Sequence, residues 1–430
     1  MSLYNYVGKN EKIMPWGKLP DIRLPPDWNK YAGDNLAKFV KLGNGDTAAD
    51  GPPGNAGRPL TITTVPSRVL AGKDDRDGHT ELFFLSEATR RKVFNYPGFP
   101  KPVNTPKSPK YEVREAPGKG RGVFATCDMH PGDLIWAERP LIVTTMAIFF
   151  PKGLHVGRHH TEAQQQALKL HAGERTIEAI VDRLTPERRA RFMALANTHM
   201  EDGSGTYMGI LRTNQLEIRM VEGESGSDPL ESLRYTAIGD ILSFMNHSAI
   251  LDTSCIPNIK SCFDFASFSL QIYAWAHIKK GDELVWSYID GSGATATQRQ
   301  EGLSAYGFRC ECRICVEPQA DKHWRSFANR SYSLAHVIMK ALLQEDLKNP
   351  FHKESSAGQE ARLWEYKTLI ASLKDLEKES NSYGLAGELY WLCLFHELYK
   401  RLGNEIKRRR YIALVVRWMK CEAIKFRPYI

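Results

Sequence analysis

What this 430-residue chain lacks narrows it first. No stretch approaches the roughly eighteen uncharged apolar residues of a membrane span. The longest apolar run, Leu141–Phe150, is ten residues and includes two threonines. The opening MSLYNYVGKNEKIMPWG has no apolar segment of the signal-peptide kind, so a soluble nuclear or cytoplasmic protein without a membrane partner is expected, with a monomer favoured. Charge of one sign is also scarce: 58 basic against 50 acidic residues leave +8, which tolerates an acidic partner such as nucleic acid without requiring one. The basic run Lys407-Arg408-Arg409-Arg410 reads either as an import signal or nucleic-acid contact, or as a solvated helix face. No glycine-rich loop ends in Lys-Ser or Lys-Thr and runs into a helix, which excludes P-loop and dinucleotide-binding readings. No internal repeat is evident.

What is present changes in texture along the chain. Residues 1–110 read as an irregular, partly ordered extension. Gly43–Pro59 is too rich in Gly, Ala, Asp and Pro to fold alone, Thr80–Phe94 suits a short helix, and five prolines between Tyr96 and Lys110 mark a linker. From Tyr111, YEVREA, GVFAT and DLIWAERPLIV read as short strands separated by turns. Between about Thr161 and Met200 the period becomes helical, with Leu168, Ile177, Ile180, Val181 and Leu184 on one face. Thr185-Pro186 is a helix start, the threonine as N-cap. Strands return in LQIYAWAH (270–277) and ELVWSYI (283–289), with Lys279–Asp282 as the turn between them. Beyond Pro318 the chain reads as helical.

Of the eight cysteines, three crowd into Cys310-Glu311-Cys312-Arg313-Ile314-Cys315, and none lies between Cys127 and Cys255. Three thiolates this close indicate a metal rather than a disulfide framework, and structural zinc takes four ligands in a tetrahedron. Cys255 is the candidate for the fourth, with Cys262 the alternative by proximity. A second motif, Gly118-Lys119-Gly120-Arg121-Gly122, lies between two strands, where glycines permit close approach of backbone to a ligand or simply a hairpin turn. A third is GDELVWSYID (281–290), containing Tyr288. The stretch FMNHSAILDTSCIPN (244–258) joins Asn246-His247 to Cys255 across Ala249–Ser254. We read it as one site with a looped-out insertion, preceded by a buried strand over Ile241–Met245, because loop-closure entropy grows slowly with length.

Taken in order, GKGRGVFA, NHS…CIPN, GDELVWSYID and YGFRCECRIC resemble the SET-domain protein-lysine methyltransferases, most closely the SMYD-type branch. The resemblance covers about half the chain, from Lys110 to Val316, and the missing cysteines leave no material for that branch's MYND zinc finger. It implies an α+β fold: a SET-type β-fold of short strands with a knotted-like core over 111–290, and a helical insert over about 151–234. A zinc-binding post-SET segment would follow at 291–318, and a helical C-terminal region over 319–430, either walling the substrate groove or covering the sheet. It further implies S-adenosyl-L-methionine bound by Lys119, Gly120, Arg121, Asn214, Ser243, Asn246 and His247, with Tyr306 and Phe308 over the adenine. Tyr288 would be the catalytic tyrosine, structural Zn2+ would sit on Cys255, Cys310, Cys312 and Cys315, and a protein or peptide lysine would be the substrate. The rival expectations are a SET-fold scaffold without turnover, possibly chromatin-associated, and a zinc-stabilised nucleic-acid-binding protein.

Overall fold

A computed structural model describes residues 40–42, 60–67, 77–84, 87–146, 160–200, 202–218, 235–248, 255, 257–289, 294–326 and 403–422, with isolated helical positions between 371 and 400. Gly43–Pro59, the 249–254 insertion and most of 319–402 lie outside the described residues.

In chain order the strands and helices begin with β1 (Val40–Leu42), β2 (Leu60–Val65), β3 (Thr80–Phe84) and α1 (Glu87–Phe94). They continue with β4 (Tyr111–Ala116), β5 (Gly120–Ala125), β6 (Leu134–Glu138) and β7 (Ile142–Thr145). The insert supplies α2 (Glu162–Val181), α3 (Pro186–Met193), α4 (Thr206–Asn214) and β8 (Leu216–Ile218). Then come β9 (Tyr235–Ile238), β10 (Asn246–His247), β11 (Ile259–Asp264), β12 (Ser269–Ala274) and β13 (Glu283–Trp286). Helices α5 (Ala296–Leu303), α6 (Arg313–Val316) and α7 (Glu405–Glu422) complete the series. The protein is α+β, and among the described residues the strands form three sheets ordered β1-β2-β3-β7-β9-β8, β10-β13-β5-β4 and β11-β12-β6.

The amino-terminal region departs from the irregular extension expected. β2 pairs antiparallel with β3, and β3 pairs parallel with β7, so these residues build the largest sheet. The expected helix is confined to Glu87–Phe94. Thr80–Phe84 is a strand buried at every position, and a strand covered on both faces loses the period-two alternation that identifies one. Its Glu81 is satisfied inside by Arg183 at 2.8 Å and by the Thr64 hydroxyl at 2.8 Å.

The insert follows its sequence signals. Thr161 and Thr185 cap α2 and α3, with Pro186 in the first turn of α3. The expected apolar face of α2 is buried, and its Ile177, Ile180 and Val181 form a core with Leu141, Ile142 and Ile238. The insert is not wholly helical, because β8 pairs with β9. A further core draws on all three sheets, from Val65, Leu82 and Val143 in the largest to Val123, Trp136, Leu270 and Leu284 in the smaller ones.

Two expectations about strands are corrected. Lys279–Asp282 does turn, with Asp282 N–H donating to Lys279 O at 3.1 Å and Gly281 at φ +91°. However, β12 pairs with β11 and β6, whereas β13 pairs with β10 and β5, so the turn passes the chain between sheets instead of closing a hairpin. The lead-in Ile241–Met245 is a 3-10 turn at Leu242–Phe244, not a strand. Glu138 determines this by accepting the N–H groups of Ile241 (2.9 Å) and Leu242 (3.1 Å), donors that a β-ladder would otherwise take.

Glu138 also makes stability depend on pH. Burial pushes its carboxyl up from 4.5 to about 7, against the lowering effect of those two N–H donors and of Arg188. The folded chain therefore binds this proton more tightly than the unfolded one. Glu138 contributes stability that is full below about pH 4.5 and lost as pH rises through about 7, a swing of roughly 3 kcal/mol at about 1.4 per unit. Urea unfolding from pH 5 to 8 should show this slope in the wild type and lose it in Glu138→Gln. An equal slope in the variant would assign the effect to another group.

Candidate functional site

The glycine motif forms the turn of the β4–β5 hairpin, in which Ala116 faces Gly120 and Glu115 faces Arg121. Gly118 (φ +72°) and Gly120 (φ +75°) occupy the left-handed region that tight turns need and side chains disfavour. Beside the hairpin, β10 runs parallel to β13, with Asn246 opposite Val285 and His247 opposite Trp286. The strand next to Asn246-His247 thus leads directly into Tyr288.

These elements surround a cavity of about 1140 Å³. Lys119, Gly120 and Arg121 line it from the hairpin, and Ser243, Asn246 and His247 from the 3-10 turn and β10. Asn214 lines it from the end of α4, and Tyr288, Tyr306 and Phe308 complete the wall. All ten sequence-selected residues therefore converge, although they span almost two hundred positions.

Most of the polar side chains are already engaged. Lys119 Nζ lies 3.0 Å from Glu283 Oε2. Asn246 Nδ2 donates to Glu283 Oε1 at 2.7 Å and to Arg121 O at 3.1 Å. The Arg121 guanidinium stacks 3.9 Å from the Phe244 ring centroid and donates to Ala194 O. Asn214 Nδ2 donates to Ala196 O (2.7 Å) and Ile210 O (2.8 Å), and the Ser243 hydroxyl to Gly239 O (2.7 Å).

Of the buried donors without a partner among the described residues, two belong to residues lining this cavity: His247 Nε2 and Trp286 Nε1. His247 Nδ1 accepts the Tyr288 N–H at 3.1 Å, which assigns the imidazole proton to Nε2. Burial pushes the His247 pKa down to about 4, with Lys119 adding to the effect and Cys315 opposing it, so the ring is neutral at physiological pH. A neutral ring with an unmatched N–H on a cavity wall is a donor awaiting a polar ligand.

Tyr288 sits among rings. Tyr306 is 4.6 Å away between centroids, and Phe308 (6.2 Å) and Trp286 (6.1 Å) meet it edge-on. Gly307, at φ +73°, turns the chain between Tyr306 and Phe308. The Tyr288 hydroxyl donates to Met245 O at 2.8 Å. Burial, followed by the Glu283 charge, raises its pKa above the ordinary tyrosine value, so it stays protonated.

The cysteine trio meets Cys255, and Cys262 stands apart on β11. Cys255 Sγ is 3.6 Å from Cys310 Sγ, 3.3 Å from Cys312 Sγ and 3.4 Å from Cys315 Sγ. Such separations far exceed a disulfide bond of about 2.05 Å. They approach the roughly 3.8 Å edge of a tetrahedron with zinc–sulfur bonds of about 2.3 Å. The donor set and its spacing fit zinc, and four sulfurs leave no open coordination position.

Three residues outside the sequence selection shape the site. Glu283 joins the hairpin turn to β10, as above. Asn258 fixes β13 through Nδ2 to Glu283 O (2.8 Å) and the Val285 N–H to its Oδ1 (2.8 Å). Arg299 donates to Cys315 Sγ at 3.4 Å. The GDE and CIPN motifs contained the first two, yet only the fold reveals what they join.

Residues 120–289 match the SET domain family. Over 207 residues the chain is 26% identical to histone-lysine N-methyltransferase set5 of Schizosaccharomyces pombe, covering 48% of this chain and 50% of that one. It is 25% identical over 155 residues to N-lysine methyltransferase SMYD2-A of Xenopus laevis, covering 36% and 34% respectively. A putative SET domain-containing protein of Acanthamoeba polyphaga mimivirus, L678, matches at 34% over 79 residues, 17% of this chain and 30% of the viral one. The chain thus spans half or less of each of these relatives. With its hairpin turn, its β10–β13 pairing and its cysteine tetrad in one neighbourhood, this chain is similar to the SET domain family over residues 120–289.

Proposed function

We propose that the protein transfers a methyl group from S-adenosylmethionine to the side-chain amine of a lysine in a protein substrate, histone or non-histone, in the nucleus or cytoplasm. One observation carries the reading: a single cavity is lined by the GKGR turn, Asn246-His247, Tyr288 and the Tyr306–Phe308 pair. S-adenosylmethionine would supply a methyl group activated by its positive sulfur. Lys119 and Arg121 offer positive charge to its carboxylate, the unmatched His247 N–H offers a donor to its polar edge, and Tyr306 and Phe308 offer flat faces to its adenine. The cysteine tetrad, loaded with structural Zn2+, would hold those two rings in place. This reading draws support from the named activities of the fission-yeast and frog relatives. Among the described residues, no helix is long and apolar enough to cross a membrane.

The test is calorimetric titration of S-adenosylmethionine into the zinc-loaded chain. Saturable binding is expected, weakened about tenfold to a hundredfold in Asn246→Ala. That substitution removes the neutral bond to Arg121 O and the charge-assisted one to Glu283, the latter alone worth about 1.5–3 kcal/mol. A wild type with no saturable binding at millimolar concentration sinks the proposal.

A further inference from the structure

Among the four thiols, Cys315 alone is half-buried, the other three being buried. It is also the one met by a charged donor. Arg299, on α5, has a side chain with no exposure at all. Its Nε donates to Cys315 Sγ (3.4 Å), its NH1 to Ala294 O (2.5 Å), and its NH2 to Ile314 O (2.6 Å) and Asp321 Oδ1 (2.8 Å). Thus Arg299 grips both the sulfur of Cys315 and the carbonyl just before it. The next residue does the same at the far end of the cysteine run: Gln300 Nε2 donates to Cys310 O (2.6 Å), and its Oε1 accepts the Cys310 N–H (3.0 Å).

The charge count explains why an arginine stands there. Burying a guanidinium is costly unless opposite charge meets it. Its carboxylate partner Asp321 is shared, since Asp321 Oδ2 also accepts from Arg325 Nε at 3.0 Å. Two cations and one carboxylate leave a surplus of +1, and the group facing that surplus is the sulfur cluster. Four thiolates on a zinc dication carry −2, so the guanidinium offsets part of a buried negative charge.

We propose that Arg299 is a positioning residue for the tetrathiolate metal, orienting Cys315 through an N–H···S bond and balancing the charge of the loaded cluster. The proposal rests on the zinc reading of the tetrad. Arg299 lies on the same short helix as Gly302, where an added Cβ would come within 3.1 Å of Ile289 Cγ2, next to Tyr288.

The experiment uses the full chain, loaded with zinc and separately with cobalt, and compares wild type with Arg299→Met, Arg299→Gln and Arg313→Ala. Arg313 is exposed, pairs with Glu317 and serves as the local control. Zinc transfer to a chromophoric chelator should quicken about tenfold to a hundredfold in Arg299→Met, the usual effect of losing a partner of a metal ligand. The thiolate-to-cobalt charge-transfer band should shift in the same variant. Arg299→Gln retains an N–H donor without the charge and should fall between, while Arg313→Ala should match wild type. Wild-type release and an unshifted band in a folded Arg299→Met overturn the role, and the same result in Arg299→Gln does so if the methionine variant does not fold. A wild type that takes up no zinc sinks the metal reading itself, a result distinct from zinc-loaded protein indifferent to Arg299.

Discussion

Replacing Tyr288 with phenylalanine should lower methyl transfer by about a hundredfold to a thousandfold, the usual loss when one preorganised donor is removed from a reacting centre. The hydroxyl stays protonated, because burial and the nearby Glu283 raise its pKa above the ordinary value. In the proposed reaction it would therefore serve as a hydrogen-bonding positioner and not as a base. Under the proposed reaction the attacking amine must be neutral. With a free pKa near 10.4, deprotonation at pH 7 costs roughly 4–5 kcal/mol. Burial beside the Tyr288 ring would disfavour the ammonium form and lower that cost. Alignment of the neutral amine then falls to the hydroxyl, which the Met245 carbonyl fixes at 2.8 Å. Phenylalanine keeps the ring contacts, so cofactor binding and zinc content should hardly change while kcat falls. Unchanged turnover of a labelled peptide library would remove Tyr288 from the catalytic role.

Cys312→Ser should have the larger structural effect. Cys312 is fully buried, and its sulfur is 3.3 Å from that of Cys255, so serine would leave only three thiolates to hold the proposed zinc. Structural zinc sites of this kind contribute about 10–16 kcal/mol of apparent binding free energy near neutral pH. Metal analysis should fall from about one ion per chain toward zero. Tyr306 and Phe308 directly precede Cys310, so S-adenosylmethionine binding should weaken as well. Full zinc retention in the serine variant would mean that the four sulfurs are not the ligand set.

How far the sequence foretold this arrangement depends on whether a signal was local. Thr185-Pro186 announces a helix from within four residues, and the glycine hairpin from within five. The link from Cys255 to the later trio was legible because tetrahedral coordination demands a fourth ligand and few cysteines were available. Amino-terminal strands β2 and β3 were not legible: β3 finds its partner β7 about sixty residues away, and a strand buried on both faces shows no alternation. The turn read at Lys279–Asp282 is genuine, but a turn does not say which sheet receives the next strand. The 3-10 turn before Asn246 depends on Glu138, a side chain more than a hundred positions earlier. Glu283 and Arg299 were hidden for the same reason, since their importance lies in what they join.

The pairing of β3 with β7 bears on how this protein can be divided. A fragment trimmed to the matched span, 120–289, would discard β2, β3 and β4. β7 would then lose its parallel neighbour and become the rim of its sheet, offering unpaired amides beside side chains that are now wholly buried. Such a rim invites pairing with another chain. The sequence before residue 111 thus serves as a guard strand against self-association, and a boundary for expression belongs upstream of Leu60.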